Sequence, residues 1–150
     1  MYEATHLLSG SKRAVKCIQR SSLPLSRLAT LFTEVDLLRG LDHPNILKLY
    51  EAIIEPSTVN IVTELLHGGS LLDRVLSQGP VPEPTAACYC RQVLSALAYC
   101  HERAIVHRDV KMENLVLESK GNEAQIKLID FGEAVKLEPG QILTEPVGTV

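Results

Sequence analysis

Apolar positions along the chain change their period several times, and each change marks an element. Residues 2–8 and 12–18 alternate around Ser9-Gly10-Ser11, which predicts a β-hairpin. From 26 to 41, Leu28, Leu31, Phe32, Val35 and Leu38 recur in steps of three and four, one face of an amphipathic helix that Gly40 and Asp42-His43-Pro44 close. Residues 46–53 and 59–65 read as strands separated by Glu55-Pro56-Ser57. After His67-Gly68-Gly69 the pattern turns helical, with a short helix over 70–77 and a long one over 83–103. Ala87, Cys90, Leu94, Leu97 and Ala98 are expected to form the inward stripe of the long helix. A short apolar strand over 126–129 precedes a mostly polar loop from Glu133 onward. The order predicts an α+β, bilobal molecule: a strand-rich half with one helix, a hinge, then a helical half, with a cleft between them suited to a ligand.

Composition narrows the function classes. Apolar residues make up 45% of the 150, enough for a packed core and too many for a disordered chain. Fifteen basic against 18 acidic side chains leave a formal charge of −3, which gives no pull toward nucleic acid or an anionic membrane. No apolar run has the length of a membrane span, and no basic start precedes an apolar stretch as in a signal peptide. Cys17, Cys88, Cys90 and Cys100 lack metal-site or disulfide spacing and are expected to be reduced, mostly buried thiols, which fits a cytoplasmic or nuclear protein. No repeat or linker divides the chain, so residues 1–150 are read as one domain.

The densest chemical signal is His107-Arg108-Asp109-Val110-Lys111-Met112-Glu113-Asn114, with Asp130-Phe131-Gly132 beginning 16 residues after Asn114. Ala14-Val15-Lys16 sits on an expected strand and Glu34 on the amphipathic helix, off its apolar stripe. Each of these residues alone reads as an ordinary turn former or solvated charge. In this order and context they resemble the eukaryotic protein kinase family, over essentially the whole chain.

That resemblance implies phosphoryl transfer from ATP with Mg²⁺ to protein hydroxyls, a reaction governed by positioning and charge neutralisation. It implies Asp109 as the base that orients the hydroxyl, Lys111 as a contact of the γ-phosphate and a marker of the Ser/Thr branch, and Lys16 as the cation for the α and β phosphates, held by Glu34. Asn114 and Asp130 are the implied oxygen ligands of Mg²⁺. Thr63 resembles the gatekeeper, the backbones of Glu64 and Leu66 the adenine-bonding hinge, and Ala14 and Val116 the adenine sandwich. Leu38, Leu49, His107 and Phe131 match the stack that couples the two lobes. Arg108 implies a receptor for a phosphate or acidic group of the activation loop, with Thr144 as an acceptor for an upstream activator and Glu145 as an acidic stand-in. Gly148-Thr149 resembles the pair whose Thr contacts the catalytic Asp.

Wording around residues 14–18, 43–49, 67–73 and 106–117 resembles the calcium/calmodulin-dependent group and its calcium-dependent relatives. Three positions depart from the pattern: Ser70 stands where many of that group have Glu, Met112 where Pro is frequent, and Glu133 follows Asp-Phe-Gly. The resemblance begins after the Gly-rich loop and stops before the Ala-Pro-Glu region, so an incomplete catalytic domain is expected. The alternative to an enzyme is a non-catalytic kinase-like module that binds protein partners.

Overall fold

The computed structural model describes residues 1–121, 124–144 and 147–149. The strand-rich half is a four-stranded antiparallel sheet of β1 (Tyr2–Thr5), β2 (Lys12–Gln19), β3 (Leu49–Ile54) and β4 (Thr58–Glu64), in the order β1-β2-β4-β3. The expected hairpin forms, but its first strand ends early because residues 6–11 close a wide turn, with His6 N–H donating to Ser11 O at 2.9 Å. Helix α1 (Leu25–Arg39) buries Leu28, Leu31, Val35 and Leu38, the face its periodicity predicts. Ile46, placed in a strand by its sequence, makes an isolated bridge to Leu128 instead and is 1% exposed.

The second half contains α2 (Leu71–Gln78), α3 (Glu83–His101) and the short strands β5 (Ile105–Val106), β6 (Leu115–Leu117), β7 (Ile126–Leu128) and β8 (Val135–Lys136), paired β5-β8 and β6-β7. Ser70 caps α2 through a reciprocal box with Asp73, which satisfies two otherwise orphaned backbone donors. One apolar core runs from α1 and β4 through Ile46, Leu117, Ile126 and Leu128 to α3, so the two halves share it.

Two expectations are corrected here. Helix α3 buries Tyr89, Ala96 and Cys100, whereas Ala87, Cys90, Leu94 and Ala98 are exposed and Leu97 is half-buried. The helix is apolar on nearly every side, so periodicity alone does not select the buried face. Cys90, Leu94 and Leu97 instead line an apolar groove of about 390 Å³ shared with Leu71, Tyr89 and Val110. The thiols are mostly exposed, Cys17, Cys88 and Cys90 among them, and only Cys100 is buried. Burial pushes the Cys100 thiol up to about 11. Among the described residues no His, Cys, Asp and Glu cluster could hold a metal, and no helix is long and apolar enough to cross a membrane.

Candidate active site

The hinge is built by backbone proximity. His67 and Gly68 N–H groups donate to Glu118 O and Leu117 O, both at 3.0 Å, and Leu117 N–H returns a bond to Gly69 O at 2.9 Å. A Cβ on Gly68 would come within 2.4 Å of Ser119 O and of Leu117 Cβ, so only glycine permits this approach. Above the hinge, Ala14, Lys16, Glu34, Leu38, Thr63 and Asp130 line a cavity of about 210 Å³. Leu66 and Val116 lie outside that lining; both are half-buried, Leu66 in the hinge and Val116 in β6.

Lys16 reaches this cavity from β2, opposite Ile61 of β4, and Glu34 reaches it from the inner side of α1. The two charges are not in direct contact. Burial raises the Glu34 carboxyl, and Asp130 adds to that, while Lys16 acting through space and a hydrogen bond from the Phe131 backbone oppose it. Leu38, Leu49, His107 and Phe131 are all buried, and the His107 ring meets Phe131 edge to face with centroids 4.8 Å apart. His107 bridges two functional segments. Its Nδ1 accepts from Asp109 N–H at 3.3 Å, so Nε2 carries the proton and donates to Ile129 O at 3.0 Å. Burial lowers its pKa, consistent with a neutral ring in this role.

Asp109 is the most heavily bonded carboxylate of the cleft. Oδ2 accepts from Asn114 Nδ2 at 2.9 Å and pairs with Lys111 Nζ at 2.8 Å. Oδ1 accepts from Thr149 Oγ1 at 2.8 Å and from Thr149 N–H at 3.1 Å. The Lys111 ammonium also donates to Thr149 Oγ1. Hydrogen bonds from Lys111 first, then Thr149, hold Asp109 down at about 2. The same contact with Asp109 raises the Lys111 pKa. Gly148, at φ 127°, sets Thr149 in place; a Cβ there would meet Arg108 O at 2.7 Å.

Non-glycine residues with positive φ are costly, and among the described residues they include Arg108 at 68° and Asp130 at 60°. Arg108 Nε donates to Glu133 O at 2.6 Å, and Asp130 Oδ1 accepts from Gly132 N–H at 3.2 Å. Asn114 donates both Nδ2 bonds to Asp109, which leaves its amide oxygen as an acceptor. Asn114 O accepts from Ile129 N–H at 2.9 Å, tying this residue to the segment that carries Asp130. Hard oxygen atoms on Asn114 and Asp130 suit Mg²⁺ shared with phosphates. Thr144 is exposed, and Glu145 lies outside the described residues.

Comparison with known proteins agrees with this geometry. The protein kinase domain family matches residues 1–150. The chain belongs to the protein kinase family. It is 36% identical over 148 residues to a probable serine/threonine-protein kinase MARK-C of Dictyostelium discoideum, covering 97% of this chain and 19% of that relative. It is also 36% identical over 146 residues to a putative sperm motility kinase W of Mus musculus, covering 97% of this chain and 28% of that protein. The chain thus spans less than a third of the length of these relatives. The kinase family and the α+β fold expected from the sequence are therefore established.

One residue that the sequence pattern passes over is Lys127. It sits in β7 between fully buried Ile126 and Leu128 and pairs with Glu64 of the hinge at 2.9 Å. The available signal was a cation interrupting an apolar run, a position lysine occupies only with a partner.

Proposed function

We propose that this kinase domain transfers the γ-phosphoryl group of ATP to Ser or Thr hydroxyls of a protein substrate. The observation that carries the reading is the Asp109 carboxylate, fixed on both oxygens by Asn114, Lys111 and Thr149 beside Asp130. Asp109 accepts a hydrogen bond from the incoming hydroxyl and aims its oxygen in line with the γ-phosphorus. A carboxylate held at about 2 is a weak base, so it takes the proton late, after the bond to the leaving oxygen has largely broken. Lys111 keeps its pairing with Asp109 and presents its remaining ammonium N–H to the γ-phosphoryl oxygens. Lys16 neutralises the α and β phosphates, and Glu34 holds Lys16 forward once the two close into contact. Mg²⁺ supplies charge neutralisation on the phosphates, with Asn114 and Asp130 as its protein ligands. Thr63, Glu64 and Leu66 form the adenine side, where Ala14 and Val116 cover the faces of the base.

Exposed Thr144 and the guanidinium of Arg108 support control by an upstream activator that phosphorylates the loop. Local wording supports a place near the calcium/calmodulin-dependent group. The first test is a thermal melt of the chain with and without saturating Mg-ATP. A midpoint raised by Mg-ATP in the wild type and not in Asp130→Asn is expected. A cooperative melt indifferent to Mg-ATP contradicts the reading and favours a partner-binding module.

A further inference from the structure

We propose that the outer face of the four-stranded sheet docks a peptide segment of a partner protein, one acidic side chain set between apolar ones, with Arg13 as the receptor of its carboxylate. Successive residues of β2 point to opposite faces of the sheet. Ala14 and Lys16 line the cleft, whereas Arg13 and Val15 line a second groove, of about 600 Å³, on the other side. Leu7, Tyr50, Glu51 and Val62 also line it. The register of β3 against β4 shifts between Leu49 and Glu51, and this bulge leaves Tyr50 and Glu51 both exposed, where plain alternation would turn one of them inward. Leu7, in the turn of the hairpin, is 96% exposed.

The Arg13 guanidinium lies over the Tyr50 ring, its central carbon 3.1 Å from the ring centroid. Arg13 is half-buried, and no hydrogen bond or ion pair to a described residue uses its guanidinium donors. Stacking therefore orients a planar fork of N–H groups without consuming any of them. A fork of this kind matches a carboxylate, and part of the side-chain freedom that binding removes is already given up. The surroundings set the sign of the occupant. The hairpin's one acid, Glu3, pairs with Lys12 at 2.9 Å, and residues 6–13 hold Lys12 and Arg13 with no acid. Glu51 lines the same groove, so the occupant brings a single acid, beside Arg13, and neutral residues elsewhere. Leu7, Val15 and Val62 then cover its apolar side chains. An anionic lipid surface fits less well, because Glu51 repels it.

The test is NMR titration of the full chain with the blocked tripeptides acetyl-Leu-Asp-Leu-amide and acetyl-Leu-Asn-Leu-amide, observing the Arg13 Nε–H signal. The Asp peptide is expected to shift that signal saturably, and the Asn peptide to bind about tenfold more weakly. Arg13→Gln is expected to abolish the preference for Asp, read from the backbone signals of Val15 and Val62. Tyr50→Phe keeps the stack and the affinity. Tyr50→Leu frees the guanidinium and lowers the affinity, a loss that a charge acting without orientation would not show. No saturable shift, equal affinity for the two peptides, or a preference for Asp that survives Arg13→Gln overturns the inference. Vesicles of phosphatidylcholine with and without phosphatidylserine are titrated in parallel. A response to the phosphatidylserine vesicles and none to the peptides also overturns it, and assigns the face to a membrane.

Discussion

Replacing Gly68 by Ala isolates the contact that seats the hinge on β6. An added Cβ would stand 2.4 Å from Ser119 O, 2.4 Å from Leu117 Cβ and 2.6 Å from Leu117 O, so two of the three clashes are with backbone. A rotamer change cannot relieve them, and the hinge must move away from β6. Overpacking of this kind costs about 1–3 kcal/mol. Displacement also stretches the bonds Gly68 N–H to Leu117 O, His67 N–H to Glu118 O and Leu117 N–H to Gly69 O, each contributing about 1 kcal/mol net. Because strain and broken bonds are alternatives in part, the expected loss is about 3 kcal/mol rather than their sum. For a chain of this length that is a fall of roughly 6–12 °C in melting midpoint. Urea unfolding followed by circular dichroism measures it, with Gly79→Ala as the control. Gly79 sits at φ 84° and ψ −169°, a region essentially restricted to glycine, with nothing within 4 Å of a Cβ, so it shows the backbone cost alone, about 1–3 kcal/mol. A Gly68→Ala loss under about 1 kcal/mol would refute the steric argument.

Other expectations follow from single groups. Asp109 is held at about 2 against an ordinary value of 3.8, so its contribution to stability is complete above roughly pH 4 and is lost as pH falls through about 2. A carboxyl-carbon titration by NMR should place the Asp109 midpoint near 2, and a midpoint at the ordinary value contradicts the bonding described. Thiol titration with a disulfide reagent should modify Cys17, Cys88 and Cys90 in the folded chain and Cys100 only after unfolding, because Cys100 is fully buried and its thiol is raised to about 11. Fast reaction of a fourth thiol under native conditions would contradict the packing of α3.

Sequence and structure agree where a local rule has one solution. The α1 face Leu28, Leu31, Val35 and Leu38 is buried as its period requires, while Thr33, Asp36 and Arg39 are exposed. The approach of Lys111 and Asn114 to Asp109 follows from spacing within one loop, two and five residues apart. Thr149 lies 40 residues from Asp109 and was legible only through family resemblance. The period of helix α3 does not select its buried face because apolar residues surround it, and Cys88 and Cys90, on different faces of it, are both exposed. The Glu64–Lys127 pair joins two segments whose proximity no local period encodes.

The central claim is that Asp109 orients a protein hydroxyl for attack on ATP. Its most direct test is transfer of labelled γ-phosphate from Mg-ATP to a Ser/Thr peptide library, comparing wild type with Asp109→Asn. A hundredfold or greater fall in transfer, with Mg-ATP still raising the melting midpoint of the variant, is the expected result. Transfer by Asp109→Asn at the wild-type rate, or none by a wild-type chain that binds Mg-ATP, would contradict it.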